Sequence, residues 1–217
     1  MKIISVIQQK GGVGKTTVAV HLAHEIKALM PKFKITVADA DPQNSALNWI
    51  KRGLSRGVNG VSGVAVATDG TGKTLKKELA GIDADLIILD LPPAIEAVSL
   101  RAALYSHLIL VPVGASSLDL EAAKAAIDVC EEAIAENKDK IFLIVPTRVQ
   151  TSTAAGKELK DVLKKWGPVS KSSMGLRVSF ADAATLGEGI TTFAPNTAAH
   201  KEITALAKEA LLLLGVN

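Results

Sequence analysis

The length and composition of the chain predict one domain of ordinary size and exclude several classes of protein. The chain has 217 residues, of which 48% are hydrophobic and 3% aromatic, so we expect a single domain over residues 1–217 with a core of Val, Ile, Leu and Ala. A net charge of +3 is too small to indicate a nucleic-acid-binding protein by itself. A single cysteine, Cys130, excludes an intramolecular disulfide framework and favours a reducing compartment. The first residues are not typical of a signal peptide, and no apolar run reaches the roughly 18 to 20 residues of a membrane span, so we expect a cytoplasmic protein.

The first motif is a glycine-rich stretch from Gln9 to Thr17. It follows an apolar run that predicts a strand and precedes a segment with helical periodicity that extends to about Met30. A strand, a glycine loop and a helix form a phosphate-binding loop, in which backbone N–H groups and the helix N-terminus face an anion. In this motif Lys15 reaches the β- and γ-phosphates and the Thr16 hydroxyl binds Mg²⁺. Residue 9 is Gln where the general motif has Gly, and Lys10 supplies a second lysine.

Beyond the loop, apolar strand patterns alternate with helical patterns. This alternation implies right-handed crossovers and an α/β fold with three layers, in which a mostly parallel twisted sheet carries helices on both faces, as in P-loop NTPases. We expect residues 51–63 to form an exposed connection and residues 70–74 to form a turn before a helix, rather than a second phosphate loop. The predicted strands after the first are 33–38, 64–67, 85–90, 107–113, 140–146 and a last one at 177–180, and the later helices include 118–135, 157–166 and 198–214.

Acidic residues follow two of the predicted strands. Asp39 and Asp41 come after the second strand, and Asp90 ends the continuous apolar run that begins at Leu86. Because a carboxylate at the end of a central strand lies at the carboxyl edge of the sheet, Asp90 is well placed to meet a metal ion there. The alternative is that Asp90 only opens a loop or caps the next helix.

A concentration of positive charge lies in the last third of the chain. Six basic residues and two acidic ones fall between positions 157 and 177, so the rest of the chain is close to neutral. One interpretation is a solvated helix face, and the other is a surface that contacts DNA phosphates without reading sequence. The one aromatic residue of this segment, Trp166, falls on the apolar stripe of the predicted helix and not on the lysine face, which argues against base stacking. The candidate DNA contacts are Lys157, Lys160, Lys164, Lys165, Lys171 and Arg177.

Together the glycine loop, the segment from Asp41 to Gln43 and the segment from Asp90 to Pro93 resemble the ParA/MinD family of deviant Walker ATPases. Lys10 matches the signature lysine of that family, and the chain looks most like its small ParA (ParF-like) plasmid partition proteins. The resemblance implies ATP, ADP and Mg²⁺ as ligands, and a slow hydrolysis of ATP to ADP and phosphate that a partner protein stimulates.

The resemblance also implies roles for individual residues. Lys10 would contact the phosphates of a partner subunit in an ATP-dependent homodimer, Lys15 would hold its own phosphates, and Asp41 would orient the attacking water. Asp90 would hold Mg²⁺ through water, and Asp39 would shape the segment around Asp41, with a possible metal contact. The implied nucleotide contacts are Lys10, Gly11, Gly12, Val13, Gly14, Lys15, Thr16, Thr17, Arg148 and Pro195, the last two beside the adenine.

The function implied is the positioning of a cargo along nucleoid DNA, most of all plasmid or chromosome segregation. The ATP-bound dimer would bind double-stranded DNA non-specifically, and a ParB-like or other cargo adaptor would stimulate hydrolysis and release it. Two alternatives remain open, namely a MinD-like ATPase on a membrane surface and a P-loop synthetase or kinase for a small molecule. The apolar C-terminal end lacks the flanking basic residues of a membrane-surface helix, so we expect no membrane partner.

Overall fold

The structure is a computed structural model that describes residues 1–58, 60–93 and 96–216. Its strands form one sheet in the order β3-β2-β4-β1-β5-β6, and the pairings between neighbouring strands are parallel. A parallel sheet of this order, with helices on both faces, confirms the predicted α/β fold. The strands are β1 (Lys2–Val6), β2 (Ile35–Asp39), β3 (Val61–Ala65), β4 (Leu86–Asp90), β5 (Leu108–Val113) and β6 (Ile141–Pro146).

The helices cover the sheet in two layers, because successive strand residues point to opposite faces. The helices are α1 (Lys15–Leu29), α2 (Ser45–Leu54), α3 (Leu75–Ala80), α4 (Glu96–Tyr105), α5 (Ser117–Glu136), α6 (Ala154–Leu163), α7 (Val178–Leu186), α8 (Ile190–Phe193) and α9 (Ala198–Leu213). Ile4 and Ile88 pack in one core with α1, α2, α7 and α9, whereas Ile3 and Ile87 pack in the other with α4, α5 and α6. Among the described residues, no helix combines the length and apolar character needed to cross a membrane.

The prediction of a last strand at 177–180 is wrong. Arg177 is the N-cap of α7, and Phe180 and Ala183 bury one face of that helix. The pattern around Val178 suggested a strand. Phe180 and Ala183 are buried three positions apart, which is the spacing of one helix face and not that of a strand. Val178 is 76% exposed, so it faces solvent rather than a neighbouring strand.

The predicted connection at 51–63 is also wrong in part. Residues 51–54 complete α2, and residues 61–63 begin β3, which lies three residues earlier than the predicted strand at 64–67. Gly63 suggested a loop, but it lies in β3, where a Cβ would come within 3.2 Å of Ile50. The small residue therefore allows α2 to pack closely on β3.

The predicted turn at 70–74 is confirmed, and its backbone amides already have an acceptor. The Asp69 carboxylate accepts hydrogen bonds from the amides of Thr71 and Lys73. An Asx-type turn of this kind satisfies the amides that a phosphate loop would leave open. The segment therefore serves as the connection to α3.

A close backbone contact joins α2 to the end of α7. A Cβ built on Gly187 would lie 2.2 Å from the Gly53 nitrogen, so only glycine fits. Gly187 also has a φ of 81°, which favours glycine. Trp49 Nε1 and Arg52 Nη1 of α2 donate to the carbonyls of Glu188 and Ala184 at 3.1 and 2.6 Å, which strengthens the contact.

Gly187→Ala should destabilise the fold, because the added methyl group meets backbone atoms of α2 and the backbone is left-handed there. We expect a loss of about 2 to 4 kcal/mol in the free energy of unfolding, measured by urea denaturation followed by circular dichroism. Gly70→Ala is the matched control, since Gly70 has a φ of 71° and a Cβ added there would meet nothing within 4 Å. Equal losses in the two variants would contradict the proposed close contact.

Candidate nucleotide-binding site

The carboxyl ends of three neighbouring strands bring the predicted site residues together. In the register of the sheet, Val6 at the end of β1 lies beside Asp90 at the end of β4, and Asp90 lies beside Asp39 at the end of β2. The glycine loop follows β1 at this edge and leads into α1. The fold therefore places the loop and the two carboxylates within one small region.

The glycine loop has the conformation that an anion site requires. Gly12 and Gly14 have φ values of 77° and 100°, which other residues rarely adopt, and Gly14 is the N-cap of α1. The outer side of the loop is tied to the chain after β6. Thr147 Oγ1 donates to the Val13 carbonyl at 2.8 Å, and Arg148 Nη1 donates to the Gly12 carbonyl at 3.0 Å. These bonds turn carbonyl groups away from the loop interior.

Lys15 lies inside this loop and is only 7% exposed. Its Nζ donates to the Lys10 carbonyl at 3.0 Å, and burial lowers the pKa of its ammonium group, although Asp90 and Asp41 act in the opposite direction. The loop opens into a pocket of about 300 Å³, which is large enough for a chain of phosphates. The pocket is lined by Gly11, Gly12, Gly14, Lys15, Thr16, Thr17, Asp41, Ser45 and Pro93.

Buried Asp90 and half-buried Thr16 form a pair that fits a Mg²⁺ ion. Thr16 Oγ1 donates to Asp90 Oδ2 at 2.6 Å, and Asp90 Oδ1 is buried without a hydrogen-bond partner among the described residues. Burial raises the pKa of Asp90 to about 7, because Thr16 and Lys15 only partly compensate the buried negative charge. Hydroxyl and carboxylate oxygens are suitable ligands or water-mediated partners for Mg²⁺.

Asp39 holds the segment that carries Asp41. Asp39 Oδ1 accepts the amide of Asp41 at 3.0 Å, and its Oδ2 accepts the amide of Leu47 in the first turn of α2 at 2.9 Å. Burial raises the pKa of Asp39, while these amides act against that rise. Both oxygens therefore help to fix the backbone on either side of Asp41, and the possible metal contact of Asp39 stays a prediction.

Lys10 lies at the rim of the loop, and its side chain does not line the phosphate pocket. Its Nζ is 2.5 Å from Asp119 Oδ1 in the first turn of α5. Burial would raise the pKa of Asp119, but hydrogen bonds from Lys10 and Ser116 outweigh this effect and hold it below its usual value. Asp119 was not predicted from the sequence, because nothing local links it to a lysine more than a hundred residues away.

A second pocket, of about 380 Å³ and mainly apolar, adjoins the phosphate pocket through Gly12, Gly14 and Thr17. A planar base attached to phosphates in the loop would fit there. Arg148 lines this pocket, whereas Pro195 does not, and the adenine contact predicted for both residues stays a prediction. The far wall was not predicted, since the only element expected in this segment was a strand over 177–180. It is formed by Met174, Gly175, Leu176, Arg177, Phe180, Ala181 and Ala184.

The predicted DNA-contacting residues lie on and beside α6, next to the base pocket. Lys157, Lys164, Lys165, Lys171 and Arg177 are exposed, and Lys160 is half-buried. Two of them have acidic partners. Lys164 pairs with Asp161 at 2.9 Å, and the Arg177 guanidinium pairs with Glu202 of α9 through two nitrogens.

A phosphate loop, a Mg²⁺-type carboxylate and an adjoining base pocket at the carboxyl edge of a parallel sheet define a P-loop nucleotide-binding protein. The chain belongs to the CobQ/CobB/MinD/ParA family of nucleotide-binding domains, whose sequence profile matches residues 4–190. The family resemblance seen in the sequence is thereby confirmed.

Relatives with similar sequences include two positioning proteins that match nearly the whole chain. One is the maintenance of carboxysome distribution protein A of Halothiobacillus neapolitanus, 26% identical over 213 residues and covering 96% of this chain and 95% of the relative. The other is the chromosome-partitioning ATPase Soj of Thermus thermophilus, 25% identical with 96% and 94% covered. The ATP complex of Cyanothece McdA(D38A) has a similar fold, with a TM-score of 0.77 at 17% identity, covering 100% of this chain and 97% of that one.

Asp90→Asn should change how the stability of the ligand-free protein depends on pH. Because the folded chain keeps a proton on Asp90 up to about pH 7, which the unfolded chain loses near pH 4, stability should fall as pH rises through this window. The asparagine variant should lack this fall and be more stable at pH 8 by about 1 to 3 kcal/mol.

The measurement is urea denaturation at pH 5 and pH 8 without nucleotide or Mg²⁺. Asp83→Asn is the control, because Asp83 is exposed at the opposite edge of the sheet. If wild type and Asp90→Asn have parallel pH profiles, burial does not raise the pKa of Asp90 as described.

Proposed function

We propose that the chain is a ParA-type ATPase that positions a cargo on nucleoid DNA in the cytoplasm. ATP and Mg²⁺ produce a homodimer, the dimer binds double-stranded DNA non-specifically, and an adaptor protein on the cargo stimulates hydrolysis and releases it. The observation that carries this proposal is the arrangement of two lysines in one loop. Lys15 points into its own phosphate pocket, whereas Lys10 remains at the rim with a side chain that is 32% exposed.

The position of Lys10 supports a role in a second subunit. A lysine that served only its own phosphates would be expected to line the phosphate pocket, as Lys15 does. Lys10 instead forms an ion pair with Asp119, from which a partner's γ-phosphate could attract it. A dimer whose interface includes this phosphate forms with ATP and separates after hydrolysis, which is a nucleotide switch.

The chain's own residues account for the other steps of phosphoryl transfer. Lys15 and the backbone amides of the loop hold the phosphates, and Thr16 and Asp90 are the residues that would hold Mg²⁺, which neutralises phosphate charge when bound. Asp41 lines the same pocket, and its Oδ1 already accepts the Gln43 amide at 2.9 Å. This bond orients the carboxylate, so that its other oxygen can position the attacking water.

The two alternatives receive less support from the structure. A membrane-surface helix needs a free apolar face, but the apolar face of α9 is buried against the core at Ile203, Leu206 and Leu211. A small-molecule kinase would have no use for Lys10 beyond its own subunit. The relatives differ in cargo by name, since they act on carboxysomes and chromosomes, and family membership alone does not select one for this chain.

DNA binding should depend on ATP and on both lysines. We expect fluorescence anisotropy with labelled duplex DNA to show binding with ATP and Mg²⁺, and at least roughly tenfold weaker binding with ADP or without nucleotide.

Lys15→Ala should lose tight ATP binding, whereas Lys10→Ala should bind ATP but remain monomeric in light scattering and fail to bind DNA. Equal DNA binding in all three states, or none with ATP, would overturn the proposal. Normal dimerisation of Lys10→Ala would favour the kinase alternative, and ATP-dependent sedimentation with liposomes would favour the membrane one.

Asp41→Ala should separate hydrolysis from assembly. The variant should still dimerise and bind DNA with ATP, but its rate of phosphate release should fall by about 100-fold or more, since a positioned base or water-orienting group contributes this much. Asp83→Ala, at an exposed carboxylate on the opposite edge of the sheet, should hydrolyse ATP as wild type does. A wild-type rate of hydrolysis in Asp41→Ala would remove this residue from the mechanism.

A further inference from the structure

A third pocket, of about 510 Å³, lies between the start of α6 and the segment before α7. We call it the α6 pocket. Its lining is mainly polar and includes Lys157 and Lys160 of α6, the hydroxyl-bearing Thr151, Ser152 and Ser173, and Arg177. Gly156 allows α6 to begin here, since a Cβ at that position would be 2.1 Å from the Gln150 carbonyl oxygen.

The cations of the α6 pocket are held in different ways. Lys160 is fixed, because its Nζ donates to the Lys171 carbonyl at 2.6 Å, while Lys157 makes no ion pair with any of the described residues. Glu202, which is the one acidic residue in the described part of the lining, is bound to Arg177 and to the Gly175 amide. The lysine charges are therefore not neutralised by Glu202, and they favour an anion.

The α6 pocket and the base pocket share one wall. Gly175, Leu176 and Arg177 line both, so a strip three residues long separates the base from the α6 pocket. The strip is fixed on one side by the hydrogen bond from the Leu176 amide to the Val149 carbonyl, at 3.1 Å. On the other side Glu202 accepts from Gly175 and Arg177. A shift of the strip on nucleotide binding would therefore change the α6 pocket.

We propose that the α6 pocket binds a backbone phosphate of duplex DNA through Lys157 and Lys160, and that the strip 175–177 couples this phosphate to the bound nucleotide. The inference rests on the proposed function and assigns the DNA contact to a particular place. Exposed Lys165 and Lys171, which form no ion pair with any of the described residues, continue the positive surface beyond the pocket, which suits a polyanion longer than a single phosphate. Lys157 and Lys160 bind DNA directly, and the pair of Arg177 and Glu202 positions the strip.

The test compares two double variants of the full chain with ATP and Mg²⁺. Lys157→Gln/Lys160→Gln removes two charges from the α6 pocket, and Lys32→Gln/Lys138→Gln removes two exposed charges from the opposite edge of the sheet. Anisotropy of a labelled duplex is measured over a range of salt concentrations. We expect Lys157→Gln/Lys160→Gln to bind DNA more weakly than wild type. The plot of log association constant against log salt concentration should also become less steep, by about one for each lysine removed in each DNA-bound subunit. The control should keep the wild-type slope.

The outcomes separate this proposal from the proposed function. If wild type binds no DNA with ATP, the proposed function fails. If wild type binds and the two double variants behave alike, the α6 pocket is not the DNA site and only this inference is wrong. The affinity and stoichiometry of binding to a fluorescent ATP analogue are measured in parallel. If Lys157→Gln/Lys160→Gln binds fewer analogue molecules than wild type does, the α6 pocket binds the phosphates of free nucleotide and not those of DNA.

Glu202→Gln tests the coupling through the strip. The variant should still bind ATP and should keep the wild-type salt slope or increase it, because Arg177 loses its partner. The ratio of DNA affinity with ATP to that with ADP should fall at least roughly threefold, since the strip is no longer held in one position. Thermodynamic linkage requires that bound DNA changes the affinity for ATP by the same factor by which bound ATP changes the affinity for DNA. The affinity for ATP is therefore measured with and without DNA, beside the affinity for DNA. A wild-type ratio in Glu202→Gln would show that the strip does not couple the two sites.

Discussion

The burial of the Asp90 carboxylate is the constraint on which the site depends. β4 lies between β1 and β2, so its last residue is covered on both sides and also lies beneath the glycine loop. Thr16 satisfies one carboxylate oxygen, and the other has no partner among the described residues. A buried charge without compensation is costly, and a bound cation with phosphates would remove that cost. Ligand binding at this place therefore also stabilises the fold, because only the folded chain binds the ligand.

Beside this centre, two contacts in series connect the site to the rest of the chain. Asp39 fixes the backbone at Asp41 and at the first turn of α2, and α2 is joined to α7 through the contact of Gly53 with Gly187. Since α7 forms a wall of the base pocket, one packed path begins beside the phosphates and ends beside the base. A nucleotide that filled both the phosphate pocket and the base pocket would touch both ends of this path at once. The relative placement of α2 and α7 is thus tied to the site, and packed elements of this kind shift as units rather than bend continuously.

The sequence was sufficient to predict those parts of the site whose residues lie at or just after the end of a predicted strand. The glycine loop, Asp41 and Asp90 each directly follow a strand or end one, and a parallel sheet gathers such positions at one edge whatever their distance along the chain. Asp119 and the base-pocket wall were not predictable in this way. Asp119 reaches Lys10 only because β5 neighbours β1, and the segment from Met174 to Ala184 reaches the loop only by pairing beside Val149. These contacts follow from the order of strands, which periodicity does not encode.

The ion pair of Lys10 with Asp119 bears on how an ATP-dependent dimer would be controlled. Gly114 leaves room for the carboxylate, since a Cβ there would be 2.3 Å from Asp119 Oδ2, and Ser116 Oγ accepts a hydrogen bond from the Asp119 amide at 3.1 Å. Asp119 is 5% exposed, so removing Lys10 would leave a buried charge with less compensation. A partner's phosphates would have to offset this cost before Lys10 could leave. Three phosphates attract a lysine more strongly than two, so in the proposed function the ion pair of Lys10 with Asp119 would make the proposed dimerisation selective for ATP over ADP.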